Sequence, residues 1–290
     1  MTQGHTMPTP ATSARLLPRK NQRGATLIEL MVGITIGLLT VTVALGSLMV
    51  SRGISGTVSE ASQLQQQASY AFRVIGQQLR QAGGRQLDID NATATATSET
   101  PLQTRVSGST ESAISGKDEP GKDEYALIVN FQNVSELVTN KDPSKDPELK
   151  RQIHDCLGDD PKDPTANPSV TSQFKRDADN NSLFCKGTAN DSPQALIENV
   201  QDFTVRYLVQ TSEASTTALP SYQYVDAATA TTNWQNVYAV QVCLELEGTE
   251  NINTLDAKYT KCDGTQATLG NRLRMVFRNI YHIRNHAWDK

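Results

Sequence analysis

From Leu30 to Ser51 the chain has no charged residue, and ahead of Glu29 it has no acidic one. The first absence excludes an ordinary water-facing segment over those 22 residues. The second leaves Arg15, Arg19, Lys20 and Arg23 as the charges that precede it. Signs of catalysis are also missing. The chain has no G-x-S-x-G, no H-E-x-x-H and no P-loop, and none of His5, His154, His282 and His286 has a nucleophile motif beside it. His282 and His286 stand four apart, but a strand pattern runs into them, so they read as a solvated strand end and not as a metal pair. Asp177-Ala178-Asp179-Asn180-Asn181 starts like a calcium loop. It lacks the glycine at loop position six (Ser182) and the glutamate at position twelve (Thr188), and reads as a hydrated acidic loop. Cysteine is scarce, and no pair is spaced Cys-x-x-Cys. No cofactor, no metal and no enzymatic activity are expected.

What is present begins with the uncharged run. At ~1.5 Å per residue it spans about 33 Å as a helix, close to a ~30 Å hydrocarbon core. The basic residues before it stay on the cytoplasmic side, which predicts a single-pass segment in the inner membrane with the C-terminal part periplasmic. A cleaved secretory signal and a plain anchor are the alternatives. Ala44-Leu45-Gly46 could loosely serve as a signal-peptide cut, but the run is long for an h-region of about 7–15 residues. Glu29 sits at the mouth of the run. A carboxylate there costs roughly 2.5–3.5 kcal/mol even on lenient insertion scales, which makes it a functional candidate. Gly33 and Gly37 form a G-x-x-x-G, which permits close helix approach.

Arg23-Gly24-Ala25-Thr26-Leu27-Ile28-Glu29-Leu30 resembles the type IV prepilin signature, which type II secretion pseudopilins share. The resemblance implies cleavage by a prepilin peptidase after Gly24, N-methylation of Ala25, and a role in subunit assembly for Glu29, the fifth mature residue. Phe is usual where this chain has Ala25. The organisation expected is a leader over 1–24, a membrane-spanning and amphipathic helix over 25–84, and a periplasmic β domain over 85–290. Without the leader the charge is 23 basic against 31 acidic residues, a net −8. Nucleic acid is therefore not an expected partner.

Val58, Ala61, Leu64, Ala68, Phe72, Ile75, Leu79 and Ala82 recur every three or four residues, which predicts an amphipathic helix. Gly83-Gly84 is a stop signal, and Gly46, Gly53 and Gly56 are expected to weaken the helix near the membrane exit. Alternation predicts strands at Tyr125–Phe131, Phe203–Val209, Val237–Leu246 and Arg272–Arg284, in a sheet with one face on the core and one in water. Asn91 to Ser98 is low-complexity, and the cluster from Lys141 to Pro147 reads as a solvated turn. Residues 132–194, rich in Asp, Asn, Pro and Lys, read as a polar insertion. The fold class is α+β, a long N-terminal helix packed on an antiparallel β-sheet. Cys156, Cys185, Cys243 and Cys262 allow three connectivities in an oxidising compartment. Sequence neighbours are the simplest pairing, Cys156–Cys185 and Cys243–Cys262.

Ile197-Glu198-Asn199-Val200-Gln201-Asp202-Phe203-Thr204-Val205-Arg206-Tyr207, the strand from Val237 to Gly248, and Arg274-Met275-Val276-Phe277-Arg278 with Ile283-Arg284-Asn285 resemble PilW-type minor pilins. Residues 132–194 are read as lying outside this resemblance. It implies a pilin-like fold, a part in initiating or assembling the type IV pilus, and other minor and major pilins as partners. A Gly at position 46, where major pilins usually carry proline, fits a minor role. A minor pseudopilin of type II secretion and a tip adhesin acting through 132–194 remain as alternatives.

Overall fold

The structure is a computed structural model and describes residues 24–84, 112–133, 135–138, 148–151, 153–159, 169–190, 192–212, 219–231, 234–252 and 257–284. The leader up to Arg23, the low-complexity Asn91–Ser98 stretch, the cluster from Lys141 to Pro147 and His286 lie outside the described residues. Two compact units divide the chain, residues 1–52 and 53–290.

In chain order the elements are α1 (Leu27–Gln81), β1 (Ile114–Ser115), β2 (Leu127–Gln132), β3 (Ser135–Val138), β4 (Glu148–Arg151), β5 (Ser169–Asp177), β6 (Ser182–Lys186), β7 (Gln194–Ile197), β8 (Val200–Ser212), β9 (Ser221–Val225), α2 (Ala227–Ala230), β10 (Val237–Asn251), β11 (Lys258–Thr260), β12 (Gln266–Thr268) and β13 (Arg272–His282). The class is α+β: a long helix, then antiparallel sheets. A four-stranded sheet runs β13-β10-β8-β9 and a five-stranded sheet runs β1-β2-β5-β6-β7, with two separate hairpins, β3–β4 and β11–β12. The expected single sheet is thus two.

In the second unit, α1 buries Leu64, Ala68, Ile75, Leu79 and Ala82 of the expected stripe together with Ala71, while Phe72 is half-buried. Val58, expected on that stripe, is exposed, and Ala61 is half-buried. Glu60 is buried instead: its carboxylate accepts the Glu250 N–H at 2.7 Å and occupies the space beside Gly248, where a Cβ would collide with it. The helix passes through Gly46, Gly53 and Gly56 without a break. Each helical glycine costs only about 1 kcal/mol, too little to end a helix of this length. It stops where expected: Gly83 takes φ 66°, and its N–H goes to the Asn130 carbonyl of β2 at 2.8 Å. The helix end is thereby joined to the five-stranded sheet.

On the four-stranded sheet, Val240, Val242, Leu244 and Leu246 of β10 stand between β8 and β13, paired with Tyr207, Val205, Phe203 and Val200 on one side and with Tyr281, Asn279, Phe277 and Met275 on the other. The opposite face of β10 is not open to water as expected. Cys243 and Glu245 are buried there, because the β11–β12 hairpin is tied across that face by the Cys243–Cys262 bond. Tyr207 links the two sheets: fully buried, it donates to the Ala126 carbonyl at 3.1 Å and meets Trp234 edge to face.

The polar-insertion expectation for 132–194 is corrected over its second half. Residues 169–186 form β5 and β6, the middle of the five-stranded sheet, and bury Val170, Phe174, Leu183 and Cys185. Apolar residues in this region are few, but alternation places Val170 and Phe174 of β5 on the inner face, and on β6 Leu183 and Cys185 are buried while Phe184 between them is half-buried. The candidate calcium loop is the turn between these two strands. Asn181 takes φ 48°, and the Asp177 carboxylate accepts from Asp179 N at 3.4 Å and Asn180 Nδ2 at 2.6 Å, so its oxygens close the turn.

Gly76 lies against the Tyr281 ring, with no room for a Cβ, and the ring is held by its hydroxyl bond to the Phe72 carbonyl at 2.7 Å. Gly76→Ala should therefore destabilise the second unit by about 1–3 kcal/mol. Gly53→Ala, which meets nothing within 4 Å, should be neutral or stabilising by up to about 1 kcal/mol. Denaturant titration of the full chain in detergent checks the contrast.

Candidate functional site: the N-terminal helix and the covered sheet face

Gly24, Ala25 and Thr26 precede α1 in non-helical, exposed backbone. Thr26 caps the helix: its Oγ1 accepts the Glu29 N–H at 3.3 Å, and its carbonyl accepts the Leu30 N–H at 3.1 Å. Thr26-Leu27-Ile28-Glu29 is thus a capping-box sequence, a signal readable in the chain but missed there. Glu29 lies in the first turn, where its charge complements the helix dipole by about 0.3–1 kcal/mol.

Every described side chain from Gly24 to Met49 is exposed, including Leu27, Ile28, Leu30, Met31 and Leu39. So large a bare apolar surface is untenable in water and suits hydrocarbon. The hydroxyls within it are already satisfied: Thr35, Thr40, Thr42 and Ser47 donate to the carbonyls of Val32, Gly37, Leu38 and Ala44 at 2.7–2.9 Å. Polar groups paired inside the helix cost little in lipid. Gly33 and Gly37 have nothing within 4 Å of an added Cβ, so no packing among the described residues requires glycine there. Glu29, Gly33 and Gly37 follow one another at spacings of four, along one helix face.

The cysteines pair as Cys156–Cys185, with Cα atoms 6.4 Å apart, and Cys243–Cys262, 5.7 Å apart. Closing loops of this length contributes about 3–4 kcal/mol each in the chain-entropy model. Beside Cys243 lies a charge network that the sequence did not announce. Buried Glu245 accepts from Tyr259 Oη at 2.6 Å and from Arg274 Nη1 at 3.2 Å, while Arg274 Nη2 reaches Glu247 at 3.0 Å. Burial and the bond to Glu245 push the Tyr259 hydroxyl above its ordinary pKa. His282 is exposed at the end of β13. Among the described residues, no three His, Cys, Asp or Glu side chains are grouped to hold a metal.

Residues 19–45 match the family model of the prokaryotic N-terminal methylation motif, and residues 165–285 match that of the type IV pilus-assembly protein W. Over these residues the chain is similar to PilW-like type IV pilins. No curated protein and no solved structure matches it. The PilW match corrects the reading of 132–194 as lying outside the resemblance over residues 165–194 alone, because it takes in β5, β6 and β7 of the five-stranded sheet together with the whole four-stranded sheet, while β1 and β2 precede it. The methylation-motif match takes in Gly24, Ala25 and Glu29 together. These matches point to a structural component of the pilus apparatus rather than to an enzyme, and to other pilus components as its associates.

In this PilW-like chain the covered sheet face makes two predictions. Arg274→Ala leaves buried Glu245 without its cation and should cost roughly 3 kcal/mol of stability, read by denaturant titration. Asp202, beside Glu245, has its pKa raised mainly by burial, with the Glu245 charge adding to the effect. Folded Asp202 therefore holds its proton more tightly than the unfolded chain does. It penalises folding as pH rises through the ordinary Asp range and up to the folded pKa. Asp202→Asn should raise Tm at pH 7, and the gain should vanish below about pH 3.5, where both states are protonated; thermal scans across pH read the difference.

Proposed function

We propose that this protein is a minor pilin that takes part in initiating or assembling the type IV pilus, inserted through its N-terminal helix. The observation that carries the reading is Glu29, an exposed carboxylate in the first turn of a helix whose next twenty residues are exposed and uncharged. A charge at the mouth of a hydrocarbon-spanning helix needs a cation. Cleavage after Gly24 by a prepilin peptidase would create one, the α-amino group of Ala25, which keeps its charge when methylated. In the proposed assembly Glu29 of one subunit pairs with the Ala25 amine of a neighbouring pilin. The pairing offsets both charges as the subunit leaves lipid for the helical bundle, and it fixes axial register. Before assembly the protein is a single-pass inner-membrane protein with residues beyond the span in the periplasm. Its neighbours in the filament are other minor and major pilins.

Two measurements test this. N-terminal sequencing of protein taken from membranes should begin at methylated Ala25; a start after Ala44 would mean that the apolar run is a secretory signal. In cells lacking the wild-type copy, Glu29→Ala should be made, cleaved and inserted, while pilus number falls sharply. Normal piliation with normal incorporation of the variant would remove Glu29 from assembly.

A further inference from the structure

Gln78 is buried on the face of α1 that otherwise presents Ala71, Ile75 and Leu79 to the core, and membrane anchoring makes no use of it. Its amide is held from two directions. Oε1 accepts from the hydroxyl of Ser172, a fully buried residue of β5, at 3.0 Å, and Nε2 donates to the His154 carbonyl at 3.4 Å. The Ser172 oxygen in turn accepts the Cys156 N–H at 3.0 Å. The loop that supplies His154 and Cys156 is wound about Asp155, itself buried, whose carboxylate accepts from Leu157 N at 2.9 Å, Asp159 N at 3.1 Å and Ala189 N at 3.4 Å. The covalent tie of this loop to the sheet is the bond from Cys156 to Cys185 of β6.

The geometry points to an oxidation-dependent latch: closing Cys156–Cys185 fixes the loop whose carbonyl and N–H complete the Gln78–Ser172 relay, so the C-terminal end of α1 locks onto the five-stranded sheet only in the oxidised chain. The two thiols give up two protons and two electrons to a disulfide donor through thiol–disulfide exchange, and the donor leaves as a dithiol. While the thiols remain reduced, docking the helix would bury the Gln78 amide among Ile75, Leu79 and the sheet without its loop partner, and an unpaired buried amide opposes docking. The linkage is reciprocal: a docked Gln78 protects the disulfide as the disulfide protects the helix end. Cys243–Cys262 lies on the other sheet and serves as the internal control. This latch stands apart from the role proposed for Glu29.

The test is hydrogen exchange on the full chain in detergent micelles, read at the amides of residues 75–82. Cys156→Ser/Cys185→Ser should speed exchange there at least about tenfold, the effect of leaving one buried polar group unpaired, while Cys243→Ser/Cys262→Ser should leave it near wild type. In a Gln78→Met background, loss of Cys156–Cys185 should have a much smaller effect on the same amides. Unchanged exchange, an equal response to both cysteine pairs, or an undiminished effect in Gln78→Met would each overturn the latch. If the first cysteine variant does not accumulate folded, Gln78→Met with all four cysteines carries the test. Dithiothreitol should then reduce Cys156–Cys185 several-fold faster, relative to Cys243–Cys262, than in wild type. An unchanged ratio overturns the proposal.

Discussion

The contact between the second half of α1 and the two sheets is the one on which the rest of the head depends. Leu64, Ala68, Ala71, Ile75, Leu79 and Ala82 belong to the same buried cluster as Val240, Val242 and Leu244 of the four-stranded sheet and Leu127, Val129 and Phe174 of the five-stranded one. The alanines and Gly76 on this face let large groups approach, and the Tyr281 ring lies directly over Gly76. Polar groups then fix the register that apolar packing leaves loose. Glu60 sets the helix against β10, Tyr281 against the Phe72 carbonyl, Gln78 against β5, and Gly83 against β2. Burying such groups is tolerable only when they are paired, so each bond also excludes neighbouring registers.

The first half of the helix obeys the opposite rule. Among the described residues of its unit nothing covers the side chains of residues 27–49, and the hydroxyls of Thr35, Thr40, Thr42 and Ser47 are bonded to the helix's own carbonyls. A helix built this way is finished only by another apolar phase or by other helices. One helix thus carries a bare apolar segment at one end and a packed, amphipathic segment of the head at the other. Thr26 and Glu29 mark where the helix begins, and the match to the N-terminal methylation motif covers the same residues.

The two disulfides divide the labour between the sheets. Cys243–Cys262 holds a short hairpin over the outer face of β10 and encloses Glu245 with Tyr259 and Arg274. Cys156–Cys185 holds a loop against the inner face of the five-stranded sheet, within reach of the helix. In a head with a modest number of large apolar residues, covalent ties supply order that a larger core would otherwise give.

Local patterning was enough to determine several features of this protein. The uncharged run and its acidic mouth, the stripe from Leu64 to Ala82, the double-glycine stop and the alternation in β8, β10 and β13 each depend on spacing along one element, and spacing is written in the chain. The capping box at Thr26 was equally legible, although it was overlooked. Only the tertiary structure decided the remainder. Residues 169–186 look polar because half of every strand faces water, and their few apolar residues become a core only once β5 and β6 meet β2 and the helix. Glu60, Gln78 and Glu245 look like surface residues until Gly248, Ser172 and Arg274, each remote in sequence, arrive to pair with or make room for them. Burial of a polar group is a property of its partners, and partners brought from elsewhere in the chain leave no local trace in composition or period.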